Sequence, residues 1–210
     1  MKTSLPSCLS LMVLCVASAG AQSHGKHPAA SAPATPVTDV RQADFQNRTY
    51  SSSLCSREFG RLGIGKSVRV RDGEFKNSKV YFAVVSDKIV FGDLTGDGHE
   101  DAIVPAECGS IGANFARNEI FLFSVKNGAA ALVGQLSDRE LERDYRKAYP
   151  TTESYWGVTG DAPKIVDGTL SIEILVEGPH AAPRYTATMT YRLTDGVLRA
   201  VGTPARREGT

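Results

Sequence analysis

From residue 67 to residue 201 apolar and polar positions alternate in short runs, a period of two that predicts strands with one face turned to a core. The runs fall at 67–71, 80–85, 88–91, 101–104, 119–125, 130–136, 169–176, 185–193 and 197–201. Four Asp-Gly or Asn-Gly pairs lie at the ends of these runs, at Asp72-Gly73, Asn127-Gly128, Asp167-Gly168 and Asp195-Gly196. Each signals a hairpin, because a two-residue type I′ turn needs positive φ at both central positions. One stretch changes period: Ser137-Asp-Arg-Glu140 reads as a capping box, Leu141, Tyr145 and Ala148 share one helical face, and Pro150 follows. A second, shorter helix over 39–47 would dock Val40, Ala43 and Phe45. The fold class expected is α+β, mainly antiparallel sheet built from hairpins, with one well-defined helix packed on a sheet face.

The N-terminus departs from this pattern. Met1-Lys2 precedes an apolar stretch over 9–17 and the small residues Ala19-Gly20-Ala21, the layout of a secretory signal cleaved after Ala21. A lipid anchor would need a cysteine just after small residues late in the apolar core, but Cys15 follows Leu14 and Cys8 comes too early. Residues 22–37 are rich in proline and alanine and read as an extended linker. His24 would stand third from the new terminus, where an amine, two amides and an imidazole suit Cu(II) or Ni(II); plain decoration of a tail is the alternative. The globular domain is expected over 38–204, with 205–210 a disordered tail. No apolar run reaches the ~20 residues of a membrane-spanning helix, so no transmembrane segment is expected.

Cleavage changes the charge and cysteine counts. The chain has 24 basic and 23 acidic residues, and the signal carries one lysine and no acid, so the mature chain is balanced. That gives no electrostatic ground for nucleic acid as partner. Of four cysteines the signal removes Cys8 and Cys15, leaving Cys55 and Cys108 to pair in an oxidising compartment. Periplasmic or secreted localisation and a monomer are expected. A nucleophilic or metal-bound Cys108 is the rival reading.

Gly60-Arg-Leu-Gly-Ile-Gly65-Lys66-Ser67 matches the phosphate-loop spacing G-x4-G-K-[ST]. Such a loop works only between a buried strand and a helix whose N-terminus faces the phosphates. Here a strand and an Asp-Gly turn follow it, so the match is rejected. Arg57, Arg61, Lys66, Arg69 and Arg71 are read as the outward side of a half-exposed strand, whose valines Val68 and Val70 point inward.

The segment richest in candidate chemistry is 91–104, Phe-Gly-Asp-Leu-Thr-Gly-Asp-Gly-His-Glu-Asp-Ala-Ile-Val. Asp93, Thr95, Asp97, the His99 carbonyl and Asp101 could supply oxygen to Ca2+, with Gly96 and Gly98 permitting the bend. Val104 stands where an EF-hand places its bidentate Glu, which excludes that motif. Asp-Leu-Thr-Gly-Asp-Gly-x-x-Asp followed by Ala-Ile-Val resembles the loop of FG-GAP and VCBS-type repeats, which joins two strands and often holds calcium. With Cys108 shortly after, it also looks like a group of small bacterial secreted proteins and surface lipoproteins. The resemblance covers one copy, so a repeat-built propeller is not expected. The alternative is a turn whose carboxylates accept hydrogen bonds from their own backbone.

No Gly-x-Ser-x-Gly, His-Glu-x-x-His or Cys-x-x-Cys motif is present. The functional expectation is an exported binding or accessory module with a protein or glycan partner in the envelope or medium. The alternative is a secreted hydrolase using His99, His180 and Glu177. Tyr145, Tyr149, Tyr155 and Trp156 form an aromatic cluster that would either recognise a ligand or seal the helix onto a sheet.

Overall fold

The computed structural model describes residues 36–150, 154–179 and 182–208. The expected signal, all of the linker except Pro36 and Val37, Cys8, Cys15, His24 and His180 lie outside the described residues. The four Asp-Gly and Asn-Gly pairs at the ends of the runs adopt the turn their chemistry favours. Asp72, Asn127, Asp167 and Asp195 have φ of 52°, 52°, 48° and 51°, and the glycine after each is also positive. Only short polar side chains and glycine tolerate that pair of dihedrals, so these dipeptides set where the chain reverses.

Between the turns run β1 (Thr49–Ser51), α1 (Leu54–Phe59), β2 (Ser67–Arg69), β3 (Glu74–Lys76), β4 (Val80–Val84), β5 (Val90–Gly92), β6 (Asp101–Ser110), β7 (Ala116–Lys126) and β8 (Ala129–Ser137). The chain continues with α2 (Asp138–Ala148), β9 (Tyr155–Val158), β10 (Lys164–Val166), β11 (Thr169–Val176), β12 (Tyr185–Thr194), β13 (Val197–Ala200) and β14 (Ala205–Glu208). The architecture is α+β and mainly antiparallel, with two short α-helices among the described residues rather than one.

Three sheets form. β1 and β2 make a two-stranded ribbon; β3-β4-β6-β7-β8 make a central sheet with β5 beside β6; β10-β11-β12-β13 make a second sheet with β9 beside β11 and β14 beside β12. The central sheet is buried on both faces, because the alternation of β7 is apolar on both sides. Phe121 and Phe123 join Tyr50, Val68 and Phe82 in a core under the N-terminal segment, whereas Ile120 and Leu122 join Leu170, Ile172 and Tyr191 in a core shared with the second sheet and α2. Gly92 permits close approach between the sheets: a Cβ there would lie 3.1 Å from Ile165 Cγ2 of β10.

Helix α2 begins as its capping box requires, with Glu140 accepting from the Ser137 amide at 2.8 Å. Leu141 and Tyr145 are fully buried, which places the helix against the second core. The expected helix over 39–47 is only a 3-10 turn at Val40–Gln42, started by Asp39 Oδ1 accepting the Arg41 amide at 2.8 Å. Competing side-chain bonds from Asp44 to the Gln46 and Asn47 amides, both 3.0 Å, turn the chain out of helix there.

The C-terminus also differs from expectation. Residues 205–208, read as part of a disordered tail, form β14 and pair with Tyr185–Thr188 of β12. Arg206 holds the strand in place. Its guanidinium lies 3.4 Å from the Tyr149 ring centroid, 5.0 Å from that of Tyr185 and 5.3 Å from that of Tyr145, and it donates to Glu177 at 2.6 Å. Cation–π contact and an ion pair thus anchor a segment with little apolar residue content of its own.

Candidate functional site

The acidic loop joins β5 to β6, which pair antiparallel through Gly92 and Asp101. Its carboxylates are taken up by its own backbone. Asp93 accepts the Gly96 amide at 2.6 Å through Oδ1 and the Gly98 amide at 2.9 Å through Oδ2. Asp97 accepts the His99 amide at 3.0 Å, the main cause holding its carboxyl below the usual range. Asp101 is fully buried and accepts the Leu94 and Thr95 amides at 2.9 and 2.8 Å. Thr95 points its hydroxyl at Asp101 at 3.5 Å. Among the described residues no group of three or more His, Cys, Asp or Glu side chains is gathered as a metal would need.

His99 and Glu100 are exposed and line a cleft of about 420 Å³ with Thr38, Asp39 and Val125. Glu100 is held by Arg41 at 2.9 Å. Glu177 lies elsewhere, just beyond β11, where it pairs with Arg206 and has a positive φ of 57°. Glu177 is not among the residues lining the cleft that holds His99. The aromatic residues divide between structural tasks: Tyr145 and Tyr149 enclose Arg206, Tyr155 donates to Asp138 at 2.8 Å, and Trp156 Nε1 donates to the Gly178 carbonyl at 3.1 Å.

Cys55 and Cys108 form a disulfide with Cα atoms 6.0 Å apart. It fastens α1 to β6. Beside it Glu119, fully buried on the Phe121 face of β7, caps the same helix from a different strand. Ser53 at the helix start has no side-chain cap bond, and Glu119 Oε1 takes the Ser53 and Leu54 amides at 3.0 and 2.7 Å. Ser52 Oγ donates to Oε2, and Gln135 Nε2 donates to Oε1 at 3.1 Å. Glu119 is not among the residues singled out from the sequence; the signal it offered is a lone acid opening an apolar run, Glu119-Ile-Phe-Leu-Phe, which burial would oblige to find partners.

Burial raises the Glu119 carboxyl above its ordinary range, and burial likewise raises Asp138, which accepts from the Asn118 amide at 2.7 Å. Both groups bind protons more readily folded than unfolded. Stability is therefore expected to rise as pH falls through their raised folded values, the gain being complete near the ordinary carboxylate pKa of about 4. Asp97 and Asp144 are shifted down, so their contribution is lost only below that range. Thermal unfolding between pH 8 and pH 3 should show a maximum on the acid side of neutrality, and Glu119→Gln should flatten the limb above it. A melting temperature that climbs steadily from pH 5 to pH 8 would contradict this.

The phosphate-loop spacing sits in the reverse of its working context. Helix α1 precedes it, a 3-10 turn at Gly60–Leu62 falls inside it and β2 follows, so the chain does not leave it as the helix a phosphate loop requires. No family model matches the chain, and neither curated proteins nor solved structures give a match.

Proposed function

We propose that this chain is an exported binding or accessory module that engages a protein or glycan partner in the cell envelope or the medium as a monomer. The observation that supports it is the commitment of the reactive side chains to structure. Cys55 and Cys108 hold each other, Glu119 caps α1, Asp138 accepts from Asn118 and Tyr155, and Glu177 is neutralised by Arg206. Hydrogen bonds and ion pairs hold these groups in the fold rather than presenting them to a substrate, and exposed His99 is left to the turnover assay. The disulfide supports a periplasmic or secreted location, where such bonds persist.

Incubation of the mature chain with generic ester, peptide and glycan substrates is expected to give no turnover above buffer. Turnover abolished by His99→Ala or Glu177→Gln would replace the binding reading with the hydrolase one.

Of the two readings of the acidic loop, the hydrogen bonds support the amide-closed turn. Its place between paired strands is also where an FG-GAP or VCBS-type loop would lie. Ca2+ at several millimolar is expected to leave the melting temperature unchanged, and Asp93→Ala to cost about 1 kcal/mol through loss of two amide acceptors. A calcium-dependent rise in melting temperature that disappears in Asp97→Ala would establish a cation site instead.

A further inference from the structure

The hairpin made by β2 and β3 opens immediately after its turn. Arg71 and Glu74 exchange both backbone hydrogen bonds at 3.0 Å across Asp72-Gly73. In that register Val70 would face Phe75, and the next hydrogen-bonded pair would be Arg69 and Lys76, two cations directly opposite, which repel. Among the described residues no backbone bond joins them. Instead a cleft of about 510 Å³ lies between the strands, lined by Gly65, Ser67, Arg69, Arg71, Phe75 and Lys76 among others. Its far end is closed by Asn77 Nδ2 donating to the Leu62 carbonyl at 3.1 Å.

Both strands turn unused backbone groups into this cleft. β2 meets β1 through Lys66, whose carbonyl accepts from Ser52 at 2.9 Å, and through Val70, whose amide donates to Arg48 at 3.0 Å. Antiparallel hydrogen bonding alternates, so the amides and carbonyls of Ser67 and Arg69 point the other way, towards β3. β3 meets β4 through Gly73 and Asn77, bonded to Val84 and Val80 at 2.8 and 3.0 Å. By the same alternation Lys76 faces β2. Arg69, Arg71 and Lys76 are exposed, and among the described residues Arg69 and Arg71 have no carboxylate partner; Lys76 has only Glu74 at 3.9 Å.

We propose that this cleft binds an extended acidic segment of a partner protein, which adds as a strand to the open edge of β2. The inference rests on the binding-module reading and names the partner's chemistry. Unused amides and carbonyls together call for a peptide backbone: a free phosphate would satisfy the amides and leave the Ser67 and Arg69 carbonyls facing an anion. The cations select acidic side chains on the solvent face, and half-buried Phe75 selects small or apolar ones on the other. The chain's own residues 1–35 contain no Asp or Glu, so they lack the charge to fill the cleft.

The test uses the oxidised mature chain and a capped peptide of alternating Glu and Val. Its affinity is expected to exceed that of the Lys/Val peptide by at least about tenfold, and Arg69→Glu or Lys76→Glu should each weaken it by about tenfold. Peptide should slow hydrogen exchange at the Ser67 and Arg69 amides, and methylation of alternate peptide nitrogens should abolish binding. Arg69→Glu has a second signature, since it places opposite charges across the cleft and should slow exchange at the Lys76 amide without peptide. Equal binding of both peptides, indifference to either substitution, unchanged exchange at Ser67 and Arg69, or full competition by equimolar inorganic phosphate would overturn the proposal. None of those results bears on the binding-module reading, which falls only with the turnover assay.

Discussion

Replacing Cys55 and Cys108 together by serine is expected to destabilise the oxidised protein by about 4 kcal/mol, the chain-entropy value for a loop of this length. The cysteines are 53 residues apart in sequence, and the loop between them contains β2 to β6. Without the bond the unfolded chain regains the freedom that the crosslink denied it, while α1 keeps only its packing and the Glu119 cap. For a domain of this size the loss corresponds to a fall in melting temperature of roughly 8–16 °C. Reductant should lower the wild-type melting temperature by a similar amount and leave the double variant unchanged. A double variant that melts within a degree or two of wild type would show that the segment from β2 to β6 is already constrained when unfolded.

Glu119→Ala is expected to be of similar severity, about 3 kcal/mol, read as a shift in urea midpoint. The carboxylate serves the Ser53 and Leu54 amides, the Ser52 hydroxyl and Gln135 at once. Each buried donor left without an acceptor costs about 1–3 kcal/mol, and the sum is reduced because Ser52 and Gln135 can rotate. Glu119→Gln separates charge from hydrogen bonding. Its oxygen can keep the Ser53 and Leu54 amides while its nitrogen donates to Ser52 Oγ, so a loss below about 1.5 kcal/mol is expected. If Gln is as damaging as Ala, the negative charge itself holds α1. If Ala is tolerated, the helix start reaches water and the cap is dispensable.

Much of the fold was legible because its signals are local. The Asp-Gly and Asn-Gly pairs carry their dihedral preference in two residues, and the runs over 169–176 and 185–193 show their period within one strand. The helix beginning at Ser137 announces itself through Glu140. What escaped was short or held from a distance. β1, β3 and β10 have three residues each, fewer than two full periods, and α1 has six. β14 is ordered by an arginine among tyrosines that come from α2 and the strands around it. The acidic loop was legible as a turn, but which oxygens face amides was settled only by its three-dimensional path.

The candidate binding cleft illustrates the same division. Arg69 and Arg71 were visible as the outward side of a strand, and the Asp72-Gly73 turn already implies Lys76 as the residue opposite Arg69. That the strands part there, and that their backbone groups remain open, depends on β1 and β4 holding the outer edges.

By itself, then, the sequence determined the reversals, the strand periodicity, the start of α2 and the near balance of charge, since each depends on neighbouring residues or on composition. The tertiary structure alone decided which face of β7 meets which core, that Glu119 caps a helix 65 residues away, and that β2 and β3 stay apart. Those outcomes depend on groups remote in the chain competing for the same space and the same hydrogen bonds, and no local pattern encodes that competition.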